Sequence, residues 1–354
     1  MEIAIPSGLW ELYNLPVLGW KIEPVGSGHI NDTYIATGNK QSWIVQKLNH
    51  RVFTQPEAIE QNIELCQAYL QEKDPNYLFL APITNQKGAY TTKIADSYWR
   101  IFPFISEGIT FDTLSDPKQA YEAAKKFGEL SRLLDGIPLG NFKETIPAFH
   151  DLNLRFKQFE LALTKAPKQV KGAAAKAIAL ALAHRELVNT FENLKKTLPL
   201  RIQHHDTKIS NVLLHHESYS GVCVIDLDTL MPGYYLSDLG DMMRTYLCAY
   251  DENEADLSKI TLREEYFKAL MRGYLSEMAE ILTAEEKTQL LFAGKFILYM
   301  QALRFLSDYL QGNTYYRISY PEQNLVRSLN QFKLLGSIVE KEKNLEQIIR
   351  EYLT

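Results

Sequence analysis

One short block constrains this chain more than any other stretch. Residues 202–228 read as a loop and strands set inside an otherwise helical second half. The block runs Gln203-His204-His205-Asp206-Thr207-Lys208-Ile209-Ser210-Asn211 and continues through Val212-Leu213. A turn and an apolar run, Val222-Cys223-Val224-Ile225, follow, and the block ends in Asp226-Leu227-Asp228. Its skeleton is His-x-Asp-x-x-x-x-Asn, then a strand, then a second aspartate.

What surrounds the block sets the fold class. The first hundred residues hold β-rich runs over 19–25, 32–37, 41–48, 88–94 and 97–104, separated by glycine and asparagine breakers. One helix interrupts them over 55–72, with Ile59, Ile63, Cys66 and Leu70 at helical spacing. After about Glu107 the pattern turns helical. Asp116-Pro117 suits the N-cap and first turn of a helix to about Leu134. Further helices are expected over 149–164, 171–196, 262–280, 285–311 and 325–343, with a capping box at Thr283-Ala284-Glu285-Glu286. The expectation is an α+β chain of two lobes: residues 1–104 a small β-rich lobe with one helix that binds nucleotide, residues 105–354 a larger, mainly helical lobe.

The chemistry of the block points to phosphoryl transfer. That reaction needs a carboxylate to orient the attacking hydroxyl and accept its proton. It also needs hard oxygen ligands that hold Mg²⁺ against nucleotide phosphates. Asp206 fits the base, and Asn211 and Asp226 fit the metal ligands. Asp228 fits either a second metal contact or a strand-end cap. Lys208 reads either as a phosphate contact or as a solvated loop lysine. The order of loop, strand and aspartate is that of a kinase catalytic loop and metal loop. ATP and Mg²⁺ are therefore the expected cofactors.

In the β-rich region, Gly26-Ser27-Gly28 lies between two expected strands. A turn of this kind lets backbone amides approach phosphates because glycine has no Cβ. Lys47, at the end of Ile44-Val45-Gln46-Lys47, is expected to reach those phosphates from the strand. Glu57, Glu60 and Glu64 are the candidate partners on the single helix, with Glu60 first.

The layout resembles the aminoglycoside phosphotransferase and choline kinase-like family. Several stretches resemble N-acetylhexosamine 1-kinases and their bacterial relatives more closely. They include Gly28-His29-Ile30-Asn31-Asp32-Thr33-Tyr34, Tyr98-Trp99-Arg100, the run from Val224 to Gly233, and Leu303-Arg304-Phe305-Leu306-Ser307-Asp308-Tyr309-Leu310. The resemblance implies the protein-kinase-like fold, Asp206 as base, and Asn211 and Asp226 as Mg²⁺ ligands. It also implies an acceptor site with Arg304, Tyr315, His29 and Asn31. Two departures stand out: Lys47 where relatives often carry arginine, and His205 where they carry glycine.

The acceptor follows from charge. An arginine in the pocket repels a polycation and suits a neutral ligand rich in hydroxyl and carbonyl oxygens, such as an acetamido sugar. The competing use of Arg304 is an i, i+4 pair with Asp308. Kinases of other small alcohols and a catalytically silent binding module are the alternatives. A protein kinase is disfavoured because no Ala-Pro-Glu segment follows Asp226. Asp238 is expected to anchor the catalytic loop.

Bulk properties fit this reading. The net charge of −5 gives no electrostatic footprint for nucleic acid. Three widely spaced cysteines argue against a disulfide framework. Residues 290–310 are apolar but carry Lys295, Arg304 and Asp308, so they read as a buried helix rather than a membrane span. No secretory signal is visible at the N-terminus, and the expected location is cytoplasmic.

Overall fold

The computed structural model describes residues 5–17, 19–25, 31–38 and 41–353. The expected phosphate turn at Gly26, Ser27 and Gly28, and the expected acceptor residue His29, lie outside the described residues.

The N-terminal region opens with a short helix, α1 (Gly8–Leu12), which the sequence pattern did not suggest. Five strands follow: β1 (Lys21–Pro24), β2 (Asp32–Gly38), β3 (Gln41–Leu48), β4 (Thr92–Ile94) and β5 (Ser97–Pro103). They form an antiparallel sheet in the order β1-β2-β3-β5-β4. The helix α2 (Pro56–Lys73) is inserted between β3 and β4. Leu9, Trp10 and Tyr13 cover one face of the sheet, packing with Ala36, Val45, Trp99 and Ile101. The other face looks toward α2 and the helical region. Leu48, Ile59 and Ile63 belong to the large core that runs through the rest of the molecule. By packing, then, α2 joins the larger core, although the sequence places it within the smaller lobe. Asn62 on α2 reinforces this by donating to the carbonyls of Lys143 and Leu230 at 2.8 Å each.

A two-residue strand, β6 (Gly108–Ile109), leads into α3 (Pro117–Leu133), α4 (Leu152–Lys165), α5 (Lys168–Ala173), α6 (Ala175–Ala183) and α7 (Glu186–Leu194). Asp116 caps α3 as expected, accepting from the Lys118 N–H at 2.8 Å. The alanine-rich stretch expected as one helix is three, with α5 and α6 meeting at Ala174 and α6 ending at His184. Alanine propensity favours helix throughout but sets no end points.

The block at 202–228 forms β7 (Arg201–Gln203), β8 (Val212–His215) and β9 (Gly221–Val224), followed by β10 (Met231–Gly233). β8 pairs with β9 and β6, and β7 pairs with β10. Then come α8 (Leu236–Tyr246), α9 (Glu264–Met278), α10 (Ala284–Thr288), α11 (Leu290–Leu310), α12 (Gln323–Glu340) and α13 (Glu342–Leu353). The Thr283 capping box forms with Glu286. The helix α11 is long and apolar enough to cross a membrane, yet 83% of its most apolar window is buried inside the protein. Gly240 lets α8 approach α11 closely: a Cβ there would lie 2.3 Å from the Ala293 carbonyl oxygen. All three cysteines are buried free thiols.

Candidate active site

The loop between β7 and β8 carries the site. Its shape is held from α8. Asp238 accepts the backbone N–H of His204 at 2.9 Å and that of His205 at 2.7 Å, as the sequence suggested. Thr207 Oγ1 donates to the Asp238 carbonyl at 2.7 Å, and the Tyr246 hydroxyl donates to the Thr207 carbonyl at 3.0 Å. These bonds explain how His205 keeps a φ of 64°. That left-handed conformation favours glycine and costs a β-carbon-bearing residue of the order of 1 kcal/mol. The His205 ring adds support, with Nδ1 3.1 Å from the carbonyl oxygens of Gln203 and Thr229. Gly233 leaves room for that ring, since a Cβ there would lie 2.3 Å from His205 Nε2.

The loop presents Asp206 beside Lys208 and Asn211. Lys208 Nζ lies 2.9 Å from Asp206 Oδ2. Asn211 Nδ2 donates to the Asp206 carbonyl and to Asp206 Oδ2, both at 2.9 Å. This leaves Asn211 Oδ1 as its remaining polar atom. Burial raises the Asp206 pKa, but the Lys208 ammonium outweighs it and holds the carboxyl below its ordinary value. Lys208 is therefore a partner of Asp206 rather than a solvated loop lysine.

Asp226 stands at the end of β9 in a left-handed conformation, φ 60° and ψ 57°. Burial, then the neighbouring Asp228 and Asp206 carboxylates, push its pKa up to about 7 against the pull of Lys208 and Arg100. A crowd of carboxylates that resists ionisation suits a divalent cation. The candidate ligands offer hard oxygens, the Asp226 carboxylate and the Asn211 amide oxygen, which Nδ2 bonding to Asp206 leaves free of that contact. Among the described residues no group of three or more His, Cys, Asp or Glu side chains is arranged to hold a metal. Two protein ligands fit Mg²⁺, which usually keeps waters and takes its other ligands from substrate phosphates.

The structure corrects three sequence expectations at this site. Lys47 does not face the cleft. Strand alternation puts it with Val45 on the face covered by α1, where Nζ lies 5.9 Å from the Trp99 ring centroid. Gln46, one residue earlier, faces the helical region instead. Glu60 is not its partner either: Glu60 Oε1 accepts the Tyr90 N–H at 2.5 Å. Asn31 does not offer its amide to an acceptor. Its Nδ2 donates to Asp228 Oδ2 at 2.8 Å and its Oδ1 accepts the Asn49 N–H at 2.9 Å. Asp228 itself is 2% exposed, and its other oxygen lies 2.5 Å from Arg100 Nη2. Arg100 is the charged group that sequence reasoning missed. Only the fold brings it opposite Gln46, in the β3–β5 register.

The residues expected to meet the acceptor gather from α11 and two loops. Arg304 is not paired with Asp308. Asp308 instead accepts the backbone N–H groups of Thr314, Tyr315 and Tyr316, and an Asn324 amide bond. Arg304 Nη1 donates to Gln301 Oε1 at 3.1 Å, and among the described residues it forms no ion pair. Its guanidinium carbon lies 5.4 Å from the Phe149 ring centroid, 5.6 Å from Tyr316 and 6.0 Å from Tyr315. Phe149 stacks on His150 at 4.4 Å, and His150 meets the His205 ring at 5.3 Å. A continuous row of rings thus joins Arg304 to the catalytic loop. Burial, then His205, Arg304, Arg155 and Arg244, push the His150 pKa well below the usual histidine value. Of these cations, Arg244 is paired with Asp241 and Glu252, while Arg155 bonds to the Ala148 and Phe149 carbonyls.

Known proteins place this arrangement. A family model described as "Phosphotransferase enzyme family" matches residues 21–281, most of the chain. Three solved structures share the fold at low identity. A microcompartment-associated aminopropanol kinase is 16% identical, covering 95% of this chain and 97% of its own, with a TM-score of 0.63. An aminoglycoside phosphotransferase from Alicyclobacillus acidocaldarius is 13% identical, covering 98% of each chain, with a TM-score of 0.63. A spectinomycin phosphotransferase, solved with ADP and spectinomycin, is 16% identical, covering 99% of each chain, with a TM-score of 0.57. With the aspartates of two adjoining loops gathered beneath a small antiparallel sheet, the chain belongs to the phosphotransferase enzyme family.

Proposed function

We propose that the protein transfers the γ-phosphoryl group of ATP to the anomeric hydroxyl of an N-acetylhexosamine, giving a sugar 1-phosphate and ADP. The observation that carries the acceptor class is Arg304: a guanidinium without a carboxylate partner among the described residues, framed by Phe149, Tyr315 and Tyr316 and joined by stacked rings to the loop of Asp206. Five N–H donors and no acceptor favour a ligand offering carbonyl and hydroxyl oxygens. Aromatic rings beside them suit the apolar face of a sugar. Tyr315, 65% exposed, is the most open ring of this group.

Asp206 orients the acceptor hydroxyl and takes its proton as the oxygen bonds to phosphorus. The bond from phosphorus to the bridging oxygen breaks, and ADP keeps that electron pair. Lys208, paired with Asp206, keeps the base ionised before the step. Asn211 and Asp226 hold Mg²⁺, which neutralises phosphate charge when bound. Catalysis of this kind is mainly positioning and electrostatics. From the sequence alone, Gly26, Ser27 and Gly28 are assigned to phosphate contact and His29 to the acceptor.

A second reading has support in the neighbours' names, which include aminopropanol kinase and ethanolamine kinase. Arg304, which forms no ion pair among the described residues, counts against an amine-bearing acceptor here. Phosphorus NMR of the product separates the two. With MgATP and GlcNAc or GalNAc we expect a sugar phosphate whose phosphorus couples to the anomeric proton. Arg304→Met is expected to raise the acceptor KM about tenfold, the loss of one charge-assisted contact, with the ATP KM unchanged. Product formed only from ethanolamine or aminopropanol contradicts the sugar reading.

A further inference from the structure

A buried polar chain crosses from the sheet to the metal loop. It begins on β2, where Thr33 Oγ1 accepts from Gln46 Nε2 at 3.1 Å. Gln46 Oε1 accepts from Arg100 Nε at 2.8 Å and from Arg100 Nη2 at 2.5 Å. Arg100 Nη2 then pairs with Asp228 Oδ1 at 2.5 Å, and Asn31 holds the other oxygen at 2.8 Å. The Arg100 and Asp228 side chains are 3% and 2% exposed. Arg100 lies 5.1 Å over the Phe102 ring, which completes its enclosure.

A pair this dry is a poor source of stability, because desolvating two charges offsets most of their attraction. What it supplies is geometry. Asp228 is two residues from Asp226, whose left-handed backbone persists only where its surroundings fix it. We propose that Arg100, oriented by Gln46, is the positioning residue of the nucleotide site. It ties Asp228 to β3 and β5, and so sets where Asp226 stands relative to the sheet that covers the phosphates. Asp228 then serves as the counter-ion of Arg100 rather than as a second metal ligand. Lys47, on the opposite face, takes no part. This deepens the phosphotransferase reading and rests on it.

The test is Mg²⁺-dependent binding of ADP by titration calorimetry, beside thermal unfolding and the two KM values. The informative variant is the double change Arg100→Met with Asp228→Asn, which removes the pair without leaving an orphaned buried charge. It is expected to unfold cooperatively and to need about tenfold more Mg²⁺ for half-saturation with ADP, as loss of a metal ligand's supporting partner does. The acceptor KM should stay within about twofold of wild type, because Arg304 and its rings are untouched. Arg100→Lys is expected to recover part of the Mg²⁺ response, and Lys47→Met to bind ADP like wild type. Wild-type Mg²⁺ dependence in the double variant overturns the proposal. So does an equal loss in Lys47→Met, or a loss spread evenly over nucleotide, acceptor and folding. Failure of the wild type to bind ADP at all overturns the nucleotide reading itself, and the proposal with it.

Discussion

Asp206 and Asp226 are held by opposite electrostatics, and this governs how the site responds to pH. Lys208 keeps Asp206 ionised, while burial and two neighbouring carboxylates push Asp226 up to about 7. A carboxyl raised on folding adds stability that is fully present below the unfolded value, near 3.8, and lost as pH rises through about 7. A cation held by Asp226, as proposed, would have to displace its proton at lower pH and would relieve carboxylate repulsion at higher pH. The rise in melting temperature caused by Mg²⁺ and ADP is therefore expected to be larger at pH 8 than at pH 6, and Asp226→Asn should flatten the difference. Asp206→Asn is expected to lower kcat by about 10²–10⁴-fold, the usual range for a general base, while ADP affinity changes little. That these two aspartates and Asn211 come together was legible because a loop, a strand and a second aspartate follow one another at short spacing in the sequence. Lys47 was misread because a strand repeats every two residues, so one position of register exchanges the cleft face for the outer face. Sequence alone does not say which face is which.

At the scale of elements, helix contacts decide how well the loops are held. α8 bonds the catalytic loop through Asp238 and packs on α11 through Gly240, whose missing side chain permits the approach. Gly240→Ala forces a Cβ against the Ala293 carbonyl and Ile297. It is expected to destabilise the fold by about 1–3 kcal/mol, read as a fall in the urea midpoint, and to lower kcat as the loop shifts. The helices with capping signals, at Asp116 and Thr283, were visible in the sequence because a cap names its own boundary. The breaks at Ala174 and His184 were not, because nothing in an alanine-rich run opposes continued helix. The short α1 escaped notice for a related reason. Its five residues show no periodicity, and only packing of Leu9 and Trp10 on the sheet defines it.

Across the whole molecule, the small sheet and the helical region meet beside Asp226 and Asp228. The division expected after residue 104 follows the strands, since β5 ends at Pro103 and β6 joins the second sheet. It does not follow the packing, because α2 shares the larger core. The lobe contrast came from composition, β-branched and aromatic runs against helical spacing. The cross-lobe contacts of Asn62 and Arg100 came only with the fold, because they join residues more than a hundred positions apart.

The most direct test of the account is ADP release from MgATP by the purified protein. GlcNAc, GalNAc, glucose, galactose, choline, aminopropanol and kanamycin are offered in turn, with Asp206→Asn as control. The account predicts turnover on the acetamido sugars that disappears in the variant. Turnover confined to the cationic acceptors, or turnover that survives in Asp206→Asn, would contradict it.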